Sequence, residues 1–332
     1  MGVILLSKTQ IGGETTAGSA VAADVIFRGE TAFLDDQREM MMVDENIGYI
    51  SKVDRSITPK YLGYMTQPFT VNFEQIGHIL SAGVESVVTG SADTGGSGYI
   101  YTHNMPTTAA NTYKTYTIEG GDNEQAYEME YSFVDSFTIS GAGGEALKGT
   151  VNWNGRQVSK STFTSPLSLQ TVSDIVFSKG KLYIDGVSGT MGATQITNTW
   201  LSMNLDVKTG IQPVFTGDGQ KYFSYTKCIG PEATLDLTFE HNDNSVSMFD
   251  YWQAETPLQV RMAFEGPALT TAGATYTYKS FIIDFVGKIV KVNAPTNQDG
   301  DTVVTISMQA AYNSTCAKFL DFIVVNENAT LT

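Results

Sequence analysis

Apolar and polar positions alternate with period two along most of this chain. In "QAYEMEYSFVDSFTIS" (125–140), Phe133, Phe137 and Ile139 share one phase, while Glu128 and Glu130 alternate with Tyr127, Met129 and Tyr131. Successive side chains of a strand point to opposite faces, so this spacing predicts a strand with one face in the core. "TYKTYTIEG", "ATLDLTFEH", "PLQVRMAFEG", "YTYKSFIIDFVGKIVKV" and "DTVVTISMQA" are also rich in Thr, Tyr, Phe, Val and Ile and bounded by turn residues. Helical spacing is rare. "FEQIGHILSAG" predicts a short helix from about Glu74 to Leu80, ending near Gly83. "NDNSVSMFDYWQAET" predicts a second, with Asn or Asp as its cap before Val246 and Pro257 beyond its end. The expected fold is mainly β, with one short helix in each half.

The glycine-rich "ISGAGGEALKGT" (139–150) tests a nucleotide-binding reading. A phosphate loop places its lysine after the second glycine and opens a helix whose amides face the anion. Here Lys148 precedes Gly149, and period-two sequence lies on both sides. The glycines are therefore assigned to a β-hairpin turn, where a positive φ is needed.

Four blocks recur in the same order. "DVIFRGETAFLDD" (24–36) matches "DIVFSKGKLYIDG" (174–186). "NIGYISKVDRSITPKYLGY" parallels "KTGIQPVFTGDGQKYFSY", with Gly48 against Gly210 and Tyr61 against Tyr222. A strand and its short helix follow in each half. "FVDSFTIS" (133–140) then matches "FVGKIVKV" (285–292), each leading through a polar turn to another strand. This organisation predicts two tandem β-sandwich domains, residues 1–158 with an N-terminal arm and residues 159–332. The Ser/Thr-rich "VSKSTFTSPLSLQ" lies between them. The arm, about residues 1–22, has weak periodicity. It is expected to order by strand addition in an assembly and to make contacts between rings, as are the hairpin loops.

Composition narrows the chemistry. The chain has 35 Asp and Glu against 20 Lys and Arg, a net charge of −15. Tight DNA binding through phosphates needs the opposite balance. No apolar run approaches the ~18 residues of a membrane span. Cys228 and Cys316 are too few for a disulfide framework, and no C-x-x-C pair points to zinc. His78, His103 and His241 belong to no catalytic motif. "NQDGDT" lacks the rest of a calcium loop and reads as a hairpin tip. Glu128 and Glu130 share one face of their strand, and a carboxylate pair is also what a glycosidase uses. Neither a catalytic, a cofactor nor a metal site is expected.

The features "IGGETTAG", "GYISKVDRSITPKYLGYMTQPFTVNFE", "KTYTIEGGDNEQAYEMEYSFVDSFTISGAGGEALKGTVNWNGRQV" and the closing "YKSFIIDFVGKIVKVNAPTNQDGDTVVTISMQAAYNST" resemble the major tail tube proteins of long-tailed bacteriophages. The resemblance covers nearly the whole chain. It implies β-sandwich tube domains that form rings, and stacked rings through which DNA leaves the capsid. Two fused domains imply three chains per pseudo-hexameric ring. The implied partners are further copies of the chain, the tape measure protein and DNA in the lumen, and terminator and baseplate proteins at the ends, all within the virion tail. Glu128 and Glu130 are candidate channel-lining residues. Another virion component, such as a baseplate ring or capsid decoration protein, and a carbohydrate-binding β-module or glycosidase are the alternatives.

Overall fold

The computed structural model describes residues 1–331. Up to residue 161 the chain forms β1 (Lys8–Gly13), β2 (Val25–Phe27), β3 (Asp35–Asp36), β4 (Met41–Asp44), β5 (Val53–Ile57), β6 (Gly63–Thr70), helix α1 (Ile76–Gly83), β7 (Ser91–Ala92), β8 (Tyr99–Asn104), β9 (Tyr116–Gly121), β10 (Ala126–Ala142), β11 (Lys148–Gly155) and β12 (Val158–Ser161). The remainder forms β13 (Gly180–Gly186), β14 (Gln195–Ile196), β15 (Trp200–Lys208), β16 (Ile211–Val214), β17 (Tyr225–Cys228), β18 (Glu232–Glu240), helix α2 (Asp243–Gln253), β19 (Leu258–Ala268), β20 (Tyr278–Val292), β21 (Thr296–Gln298), β22 (Asp301–Ala310) and β23 (Leu320–Asn326). The protein is mainly β, as the period-two pattern predicts.

Two long strands organise it. β10 has two limbs, divided near Tyr131, whose φ of 51° breaks the extended run. The first limb pairs with β9 and β12, and the second with β11 and β15. β20 divides likewise. Its first limb pairs with β19 and β23, and its second with β22. Each long strand carries a bulge in its second limb, between Val134 and Ser136 and between Ile289 and Lys291. Bulges sharpen local twist, which lets one strand serve two sheets.

The pairing order occurs twice. β6 joins β11 and β11 joins β10, as β18 joins β22 and β22 joins β20. β1 lies on β9 as β13 lies on β19. The hairpin β4–β5 precedes β6 as β16–β17 precedes β18. This correspondence differs in places from the one read in the sequence. The counterpart of β13 is β1, not residues 24–36, which contribute β2 and β3. Gly48 and Gly219, with φ of 86° and 88°, lie in the two hairpin loops, while Gly210 precedes β16. β1 escaped detection because Thr9 to Gly12 are all buried, so its sequence does not alternate. Residues 8–13 of the arm are thus a strand already paired within the chain, between β2 and β9.

The halves join through β10 and β15, registered from Ser136 opposite Lys208 to Ala142 opposite Ser202. A continuous sheet results, in the order β6–β11–β10–β15–β18–β22–β20. The core crosses this joint as well. Phe137 lies 5.8 Å from Phe322, which stacks on Phe281, and Phe281 stacks on Phe264. All four rings are buried, and each contributes roughly 2–3 kcal/mol of burial.

The predicted turns and helices are present. β10 and β11 meet through the glycine-rich turn, in which Gly144 has φ 86°. β21 and β22 meet at Asp299 and Gly300, both with positive φ. α1 begins two residues later than predicted, because Asn72 Oδ1 accepts from Gln75 N (2.8 Å) and closes a turn first. α2 is capped by Asn242.

Candidate functional site

The joined sheet has one face in the core and one polar face. Along β18, Ala233, Leu235, Leu237 and Phe239 are buried, while Glu232, Thr234, Asp236, Thr238 and Glu240 point the other way. Pairing carries that face sideways. Thr138, Asp206, Thr234 and Gln309 form one row across four strands, and Ser140, Asn204, Asp236 and Ser307 form the next. Thr150 and Asn152 extend it on β11, and Thr66 on β6. Hydroxyl and amide groups dominate. Thr66 Oγ1 donates to Asn152 Oδ1 (2.8 Å), and Thr238 and Thr305 hydroxyls lie 3.0 Å apart. Three lysines on this face have acidic neighbours, while Lys291, opposite Ser307, is exposed. Lys148 lies 3.2 Å from Glu145, Lys208 3.5 Å from Glu232 and Lys288 4.0 Å from Glu255. Such a surface offers a polyanion many neutral dipoles and few uncompensated cations.

Glu128 and Glu130 lie on the other limb of β10. Glu128 is opposite Glu119 of β9 and Ser159 of β12. Both carboxylates are half-buried, beside Ser161 and Gln157 respectively. Burial pushes both above the usual carboxylate range. The Glu119 carboxylate adds to this at Glu128, while the Arg156 guanidinium opposes it at Glu130. The adjacent Glu14 is buried and accepts from Tyr131 N (2.8 Å), Gly18 N (2.8 Å) and the Thr115 and Thr117 hydroxyls.

A second feature is the hairpin β4–β5. Met40, Met41, Met42, Ile47, Tyr49 and Ile50 are all exposed, and Ile50 fully so. Sequence reading named the hairpin loops as contacts between rings but did not single out this methionine run. Met40–Met42 lie at the base of the hairpin, opposite Ile57, and Ile47, Tyr49 and Ile50 at its tip, so exposed apolar side chains at both ends make it a candidate interaction element.

The remaining candidates for chemistry are dispersed. His78 is buried against Tyr116, His103 is buried on β8, and His241 lies at the start of α2. Cys228 and Cys316 are free thiols. Among the described residues no group of three or more His, Cys, Asp or Glu is placed to hold a metal ion, and no helix is long and apolar enough to cross a membrane. An open groove of about 940 Å³ runs past Lys8, Arg28, Leu169 and Asp174, none of which forms a nucleophile–base pair with a neighbour.

No curated protein sequence matches the chain. The family model described as phage tail tube protein matches residues 8–310, which spans β1 through the end of β22. That span contains both long strands, both helices and the whole joined sheet, and the chain therefore belongs to the phage tail tube protein family.

Proposed function

We propose that three copies of this chain close one ring, that each copy supplies two tandem tube domains, and that stacked rings form the tail tube through which DNA passes. The observation that carries this reading is the joint between β10 and β15. It already places one half beside the other within a continuous sheet. The same two kinds of edge recur at the two ends of the joined sheet. The second limb of β20, Lys288–Val292, pairs with β22 on one side and with no strand on the other among the described residues. On its outer side β6 pairs with the two-residue β3 at Gly63 and Tyr64, and beyond Tyr64 it takes one backbone bond, from Glu30 N to Pro68 O (2.8 Å). Pro68 suits an edge, since it has no N–H to give. Repeating the β10–β15 joint between copies pairs β20 of one chain with the β3–β6 edge of the next. Six similar domains in three chains then close a circle.

In this reading the polar face of the joined sheet is the channel wall. Hydroxyls, amides and ion-paired lysines hold duplex phosphates weakly, and the −15 charge of each chain opposes adhesion. Asp206, Glu232, Asp236 and Glu240 are among the acidic residues on that face. Glu128 and Glu130 are proposed separately as channel-lining, although their partial burial on the other limb fits this less closely. Replacing both with lysine should leave tubes intact and give salt-dependent DNA retention if they line the lumen. Unchanged DNA delivery by virions carrying the double variant would place them elsewhere. The β4–β5 hairpin and the N-terminal arm are the proposed contacts between rings. The proposed end partners are tape measure, terminator and baseplate proteins, with assembly in the host cytoplasm, and no catalytic step is assigned to the chain.

Negative-stain microscopy of the purified protein tests the tube reading. Long filaments with a regular axial repeat and a central channel are expected. A protein that stays as discrete globular particles at high concentration would overturn it.

A further inference from the structure

The β10–β11 hairpin of the first half is docked against the second half. Gly143 N donates to Leu201 O (3.0 Å), Phe177 N to Glu145 O (3.0 Å) and Leu147 N to Ile175 O (2.7 Å). Leu147 and Phe177 are buried, and a Cβ at Gly141 would lie 2.8 Å from the Phe177 ring. The hairpin thus sits beside the 3-10 turn Phe177–Lys179, which leads into β13. It also sits beside the start of β15, where Trp200 lies opposite Phe239 of β18. The space left there is about 380 Å³.

The groove of about 940 Å³ occupies the equivalent place in the first half. It lies beside the 3-10 turn Ile4–Leu6, which leads into β1 as Phe177–Lys179 leads into β13. Its other wall includes Glu30, bonded to Pro68 of β6 where the start of β15 is bonded to β18. Among the described residues no hairpin tip of the same chain reaches it. Leu5 is accordingly 91% exposed, whereas Phe177 is 4% exposed. The two sites thus differ in one respect: the second-half site holds a hairpin and the first-half site is open.

The repeated pairing order identifies the matching hairpin. Val134 lies opposite Trp153 and Ile289 opposite Met308, each just before the bulge of its long strand. That register sets residues 296–302, at the tip of the β20–β22 hairpin, where residues 141–147 stand in the first half. Residues 294–302 are all exposed. The tip carries Asp299 and Asp301, and neither has an ion-pair partner among the described residues. The groove offers Lys8, whose Nζ lies 4.3 Å over the Phe163 ring, and Arg28, which donates to Gln170 O (2.8 Å). Neither cation is ion-paired among the described residues. Glu30 and Asp174 share the lining, so the charge match rests on those two side chains.

We infer that the β20–β22 hairpin of one copy seats in the groove beside Ile4–Leu6 of a second copy, as the β10–β11 hairpin seats beside Phe177 within the chain. The contact rests on the ring reading above and extends it. Pairing β20 with the β3–β6 edge carries the hairpin that continues β20 along that edge, and Thr70 at the end of β6 lines the groove. Seating the tip covers Ile4 and Leu5, removing apolar area from water.

The test uses the full chain. Asp299→Asn with Asp301→Lys reverses the charge of the tip, and asparagine tolerates the positive φ at 299. This variant should melt as the parent does and need a roughly tenfold higher concentration to form tubes, the size expected for two exposed charge pairs. Lys8→Glu in the same chain should recover most of that loss. An unchanged concentration overturns the charge match. Cross-linking tests the docking itself. With Cys228→Ser and Cys316→Ser as background, a Leu5→Cys, Gln298→Cys chain is assembled and treated with a short bis-maleimide, with each single-cysteine chain as control. Threefold rings in images, with pair-specific covalent species that stop at three chains, are expected. Threefold rings without such species overturn the docking alone. Threefold rings with species that continue past three place the hairpin in another ring and overturn the contact within one. Sixfold rings with species that stop at six keep the docking and overturn the three-chain ring. Discrete particles with no cross-link overturn both.

Discussion

The ring of His103 is buried on β8, at the position paired with Phe322 of β23, and its surroundings set a pH dependence. Nδ1 lies 2.9 Å from Glu85 O, an acceptor, so Nδ1 carries the proton. Nε2 is buried with no partner. Burial lowers the pKa of both His103 and His78 to about 4. In the unfolded chain both take up protons near the ordinary value of about 6.5. Stability is therefore full above that value and falls as pH drops toward 4, by up to about 3 kcal/mol for each ring. Glu128, Glu130 and Asp321 have raised pKa values and act in the opposite sense. As pH falls these groups, with Asp24 and Asp135, take up protons first in the folded chain, so they offset part of the histidine loss, and replacing one histidine isolates its share. The urea midpoint should fall between pH 7 and pH 5, and His103→Phe should flatten that fall. An identical slope in the variant would contradict the assignment. A second test at this scale is Asp284, which is buried and takes two bonds from Arg261 (2.6 and 2.7 Å), with Lys318 at 3.6 Å. Asp284→Asn leaves two cations facing a neutral amide. Arg261 keeps some solvent, so we expect a loss of roughly 2–3 kcal/mol in urea denaturation, the low side of the range for a broken buried pair.

At the scale of elements, α2 begins where its sequence says it should. Asn242 Oδ1 accepts from Asn244 N (3.0 Å), and Ser245 Oγ accepts from Asn242 N (3.0 Å). Asn242→Ala should cost about 1 kcal/mol and be visible as a lower urea midpoint. The cap, the strands with one solvated face and the two hairpin turns were legible because each has a local chemical signature. β1 was not, since both of its faces are covered and alternation vanishes. β8 was missed for another reason: it lies in the Gly/Thr/Ser-rich excursion 89–112, and its partner β23 is more than 200 residues away, a pairing no local pattern reports. The candidate pair Glu128 and Glu130 was placed correctly on a strand, but the bend at Tyr131 that separates their limb from the polar face has no signature in composition. The β4–β5 hairpin gives the functional test for elements. Met41, Met42 and Ile50 changed together to serine should leave the melting temperature within a degree or two of the parent, because exposed side chains away from the core change stability little. The same protein should form rings without long tubes under the microscope. Long tubes from it would remove the hairpin from the stacking role.

For the whole molecule, one joint does the organising. The two similar pairing orders meet at β10 and β15, and the edges left at β20 and at β3–β6 have the same character as those already joined. The core is shared across that joint through Phe137, Phe322, Phe281 and Phe264, so the chain offers a rigid two-part segment with its polar sheet on one face. Net charge supports passage of a polyanion in place of capture. All of this depends on how many chains close a circle. The direct measurement is the rotational symmetry of the assembled tube by cryo-electron microscopy. The account predicts three chains per ring, six similar domains around the channel, and β20 of each chain paired with the β3–β6 edge of its neighbour. Six chains per ring, or neighbours joined through edges other than these, would contradict it.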